Sequence, residues 1–85
     1  MDVFTLNNDS IKYEVALEIL GQNMQKYINT IADERSKEIF SQQLIDYCEA
    51  CLTAIHILQD DLRVEDVTTV NMILNPNDKV FGIRT

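Results

Sequence analysis

SIKYEVALEILGQNMQKYINTIA, residues 10–32, places Tyr13, Leu17, Leu20, Met24, Tyr27 and Ile31 at steps of 4, 3, 4, 3 and 4. FSQQLIDYCEACLTAIHIL, residues 40–58, repeats those steps through Phe40, Leu44, Tyr47, Cys51, Ala54 and Leu58. On an α-helix such spacing gathers six side chains on one face, and a face that wide has to be buried. The expected architecture is mainly α, an antiparallel helical hairpin plus a short third helix, as a single small helical domain over residues 1–85.

Working outward, Asn7, Asn8, Asp9 and Ser10 offer N-cap side chains, so the first helix is expected to begin near Ser10. Gly21 interrupts the composition but not the phase, because Leu20, Met24 and Tyr27 stay on one face across it. A continuous helix with a point of close approach is expected there. The link from Ala32 to Lys37 is polar but lacks glycine and proline, and Asp33 or Ser36 is the expected N-cap of the second helix. Running the first register on without a break gives Glu34, Glu38, Ser41, Ile45, Cys48, Leu52 and Ile55, the seam of a rival single helix in a coiled-coil dimer. Its three consecutive polar seam positions, and the stranding of Phe40, Leu44 and Leu58 off the seam, favour the hairpin.

Asp60 and Asp61 have the wrong sign for a helix C-terminus and suit the start of a following helix. Val64, Val67, Val70 and Leu74 mark one helical face, with Glu65 and Asp66 in an early turn and Asn75-Pro76 as the stop. The β-branched Thr68, Thr69 and Val70 leave a strand open over residues 64–74. Asn77-Asp78 reads as a turn, and residues 3–6 and 80–83 are suited to short strand-like terminal segments that could pair.

Fourteen acidic residues against seven basic ones give a net charge of −7, and from Glu38 to Asp78 the only cationic side chain is Arg63. Such a chain repels phosphate and attracts basic proteins, so direct nucleic-acid binding is not expected. A hydrophobic content of 46% is too high for a disordered chain. A chain of 85 residues buries only roughly 64% of its extended surface, so self-association is the expected source of further stability. Met1-Asp2-Val3-Phe4 has no basic segment followed by an apolar run, and the longest uncharged apolar stretch, residues 50–59, is too short for a bilayer. No membrane association is expected, and the location is read as cytoplasmic. Two cysteines three residues apart close no wide loop, against a disulfide-framed secreted scaffold.

The one formal chemical motif is Cys48-Glu49-Ala50-Cys51, which could supply half a zinc site or a redox couple. A single histidine and no second cysteine pair leave that site incomplete, and both cysteines are expected as core. His56 stands four residues before Asp60 and reads as a surface pair. Glu14 with Glu18, and Glu34 with Glu38, read as solvated carboxylates, since neither pair has the histidine of a helical di-metal site. No catalytic residue, metal or cofactor is assigned.

The expected function is therefore that of a non-enzymatic small acidic regulatory or inhibitory protein acting by protein–protein interaction, of the antitoxin, immunity, anti-host or adaptor type. Asp60, Asp61, Glu65 and Asp66 are the expected contacts to a basic protein partner. Ile11, Val15 and Ile19 form a second apolar row on the first helix, either covered within the chain or serving as the interface of a homo-oligomer. The alternative is a helical bundle that sequesters a nucleotide or metabolite, with Tyr13, Tyr27 or Tyr47 stacking on it and Lys12 or Lys26 meeting an anionic group.

Overall fold

A computed structural model describes residues 8–78. They form three helices, α1 (Asn8–Arg35), α2 (Gln42–Asp61) and α3 (Val67–Leu74), and no strand occurs among the described residues. The helical hairpin with a short third helix is thus what the chain adopts, and α1 packs against both α2 and α3. The expected strand-like segments at residues 3–6 and 80–83 lie outside the described residues.

The chain divides into two compact units. One, Gly21–Asp61, holds the second half of α1 with all of α2; the other holds residues 8–20 and 62–78. In the hairpin unit, Ile31, Ile45 and Cys48 are buried together, with Tyr27 and Leu52 packed against them. In the other unit, Ala16, Leu20, Leu62, Val70 and Ile73 are buried, and the Tyr13 hydroxyl donates to the Leu62 carbonyl at 3.2 Å. That bond ties the first turns of α1 to the segment leading into α3.

α1 runs unbroken through Gly21, as its phase implied. A close approach is not the reason for the glycine, however. A Cβ placed there would meet only the flexible end of Gln59, at 3.9 Å, which is ordinary contact.

α2 starts later than expected and is rotated by about one residue step, roughly 100°, from the expected face. Neither Asp33 nor Ser36 caps it. Asp33 is still within α1, and Ser36 closes α1 by donating its N–H to the Ala32 and Asp33 carbonyls and its hydroxyl to the Asp33 carbonyl. The cap is Ser41, whose Oγ accepts the Leu44 N–H at 3.1 Å. A local capping box would place Glu or Gln at Leu44 to bond back to the cap's own N–H. Here that acceptor comes from the preceding helix: the Ser41 N–H donates to Glu34 Oε2 at 2.8 Å, while Lys37 Nζ donates to Oε1 at 2.9 Å.

Glu34 is only 7% exposed, so it is not one of a solvated pair with Glu38. Its bond from the Ser41 N–H, helped by Lys37, holds its carboxyl below the ordinary value of 4.5 against the opposing cost of burial. Pinning Ser41 to α1 turns toward α1 the stripe that continues from it at helical steps, Ile45, Cys48, Leu52 and Ile55. Ile45 and Cys48 are buried and Leu52 and Ile55 half-buried, whereas of the expected stripe Phe40, Leu44, Tyr47 and Ala54 are exposed and Cys51 and Leu58 half-buried. The sequence register of the rival long helix thus marks the buried face of the hairpin.

α3 resolves residues 64–74 as a turn followed by helix. Asp66 Oδ2 accepts the Arg63 N–H at 2.8 Å and the Asp66 N–H donates back to the Arg63 carbonyl at 3.0 Å, which closes the turn. Val64 precedes the helix, and the buried pair is Val70 with Ile73 in place of the row of valines. Asn75, extended as a residue before proline must be, ends the helix, and its Oδ1 and carbonyl accept the N–H groups of Asn77 and Asp78 in the expected turn.

Two outcomes follow from these contacts. Gly21→Ala removes the backbone-entropy cost of glycine inside a helix without a clash, and should stabilise the protein by about 0.5–1 kcal/mol, read as a higher urea midpoint. For Glu34 the folded-state value lies below the unfolded one, so its stabilisation is complete above roughly pH 5 and drains as pH falls through 4.5 toward the folded value. Glu34→Gln should lower the urea midpoint at pH 7, and the gap from wild type should shrink as the titration is carried below pH 4.5.

Candidate partner interface

All four acids expected to meet a partner are exposed. Asp60 and Asp61 end α2, whose last turn contains no basic residue. Asp60 lies 3.7 Å from His56 Nε2 across one helical turn, the surface pair expected from the spacing. Glu65 and Asp66 precede α3 in the other unit, and Asp66 spends one oxygen on the backbone of Arg63. Of the second apolar row, Ile11 is 49% and Val15 40% exposed, while Ile19 is half-buried.

α2 itself exposes more apolar surface than the sequence reading allowed. Tyr47, Ala50, Ala54 and Ile57 follow one another at steps of 3, 4 and 3, and each is exposed, Tyr47 at 61% and Ile57 at 55%. Tyr47 and Ala54 belong to the stripe that the spacing assigned to the core, and Ala50 and Ile57 lie beside it. At the turn before the helix, Ile39 is 92% exposed and Phe40 48%.

The aromatic and thiol groups of the hairpin unit form a cluster with packing chemistry. Tyr27 and Tyr47 meet edge to face, with ring centroids 6.4 Å apart and planes at 72°. Burial and a hydrogen bond with the Cys51 thiol push the Tyr27 hydroxyl up to about 12, so it stays protonated at neutral pH. Cys48 is pushed up by burial, then by the neighbouring Cys51 and Glu34, which keeps it a thiol. A thiol without thiolate character is a poor nucleophile and a poor metal ligand. Cys48 is buried core as expected, and Cys51 is half-buried at its edge.

Between α1 and α2 lies a groove of about 340 Å³ lined by Ile28, Ile31, Ala32, Arg35, Glu49 and Leu52. Its polar groups already satisfy one another, Arg35 donating to Glu49 Oε2 at 3.1 Å. Neither a tyrosine nor a lysine lines it. Among the described residues no three His, Cys, Asp or Glu side chains are grouped to hold a metal ion, and no helix is long and apolar enough to cross a membrane.

The two cysteines should separate by reactivity. In native buffer a small aromatic disulfide reagent should modify Cys51 while Cys48 reacts only in denaturant, and Cys51→Ser should abolish the fast phase. No family model, curated protein or solved structure matches the chain.

Proposed function

We propose that this protein is a small acidic regulator or inhibitor, without catalysis of its own, that binds a basic protein partner and associates with itself. Antitoxins, immunity proteins, anti-host proteins and adaptors work in this way, and a cytoplasmic setting suits the role. The observation that carries the reading is an uncompensated charge. Residues 42–78 carry seven acids and one cationic side chain, that of Arg63. Asp66 engages Arg63 through its backbone N–H, so that bond neutralises nothing. Asp61 and Glu65 enter no ion pair among the described residues, while Glu49 pairs with Arg35 and Asp60 with His56. Exposed, uncompensated carboxylates raise the encounter rate with a basic partner and leave it sensitive to salt.

Self-association is assigned to the row of Ile11, Val15 and Ile19, which presents half-exposed branched side chains on the first turns of α1. Replacing Asp60 and Asp61 by Asn, Glu65 by Gln and Asp66 by Asn together should reduce capture of the partner from the native host by at least about tenfold at low salt, and wild-type capture should fall comparably at high salt. Capture indifferent to both changes would remove the electrostatic reading.

A further inference from the structure

α2 is apolar on two sides, and among the described residues one is buried while the other stays exposed, touching α1 at its edge through the Tyr47 ring on Tyr27. Toward α1 it buries Ile45 and Cys48. On the outward side Tyr47, Ala50, Ala54 and Ile57 stand exposed on one face, a strip of about 15 Å at the helical rise. Two alanines between a tyrosine and an isoleucine make a shallow saddle, low in the middle and raised at both ends. A second helix can bring its backbone close over such small residues. Leu44, 38% exposed, extends the strip at its N-terminal end.

Charge decides what occupies it. Asp46 lies one turn before Ala50 and Asp61 one turn after Ile57, so a carboxylate brackets the saddle at each end. α2 contains Asp46, Glu49, Asp60 and Asp61 and neither lysine nor arginine. A second copy laid on this face would set Asp46 and Asp61 of one α2 against the same two of the other, with no lysine or arginine on α2 to offset them. A helix with small or branched apolar side chains in its centre and Lys or Arg toward both ends meets the same face with matching shape and opposite charge.

We infer that the outward face of α2, Tyr47, Ala50, Ala54 and Ile57 between Asp46 and Asp61, is the seat for a basic amphipathic helix of the partner. The inference rests on the proposed binding of a basic protein and adds where that protein sits. The apolar saddle supplies the contact, and the flanking carboxylates set polarity and register.

The test uses the full chain and two synthetic peptides. One is an amphipathic helix with an alanine and leucine stripe flanked by lysines; the other has every lysine replaced by glutamate. The lysine peptide should bind, shift backbone amide resonances of residues 46–61, and lose affinity about tenfold or more with Ala54→Glu, which retains the helical circular dichroism of the wild type. Gln22→Glu on α1 adds the same charge away from the face and should leave affinity unchanged or slightly higher. Ala54→Glu also adds negative charge, so binding as tight as wild type would mean that attraction is diffuse, and the saddle would be discarded as a seat. Equal binding of the glutamate peptide would discard the charge argument. A dimer that Ala54→Glu dissociates, with no peptide binding, would assign the face to a second copy and overturn the inference. Native partner capture that survives Ala54→Glu but not neutralisation of Asp60, Asp61, Glu65 and Asp66 would overturn the seat while leaving the proposed function standing.

Discussion

The hairpin depends on one carboxylate. Glu34 sits in the last turn of α1, where the helix dipole opposes an acid, and is buried there because its two oxygens are taken by the Ser41 N–H and Lys37. A capping box is ordinarily a local device, serving one helix from its own first turn. When the acid comes from the preceding helix, the same pair of bonds fixes where α2 begins, how it is rotated and how close its first turn lies to α1. The packing of Ile31 with Ile45 and Cys48 follows from that rotation.

This explains what could be read in the sequence and what could not. The 3,4 spacing favoured two long helices over a single one, and periodicity with the restriction that proline places on its neighbour pointed to α3 and its stop at Asn75-Pro76, with a strand left open over residues 64–74. The rotation of α2 could not be read. Phe40, Leu44 and Tyr47 offer one apolar phase and Ile45, Cys48 and Leu52 another, and spacing has no means to rank them. What ranks them is a contact between residues 34 and 41, whose partners, a glutamate and a backbone N–H, carry no hydrophobic signal. Misplacing the cap at Asp33 or Ser36 and misjudging Glu34 as solvated are one error, since both arise from treating the link as a loop without tertiary bonds. Of the candidate site, the exposed acids at residues 60–66 were legible from composition, while the outward face of α2 was hidden by the assignment of its phase to the core.

Cys48 and Tyr27, two of the residues that invite chemical readings, are packed into the hairpin. Burial raises the Cys48 thiol and the Tyr27 hydroxyl, and in both cases it favours the neutral, inert form. An active-site cysteine needs the reverse, a cationic or dipolar neighbour that favours thiolate, but the charged group acting on Cys48 from α1 is the carboxylate of Glu34. The same glutamate that organises the hairpin therefore adds to the burial that keeps Cys48 a thiol.

What remains unspent is surface. A chain this short cannot enclose all of its apolar side chains, and the arrangement chosen leaves Tyr47, Ile57, Ile11 and Val15 substantially exposed while surrounding α2 with acids. Net charge keeps such surfaces from meeting their own kind indiscriminately, because an apolar contact on α2 between two copies must also bring like carboxylates together. An opposite charge on a different protein removes that penalty. On the proposed reading, apolar exposure and acidity, which separately read as poor burial and as solubility, combine on α2 into a surface that would favour a basic helix over its own copy.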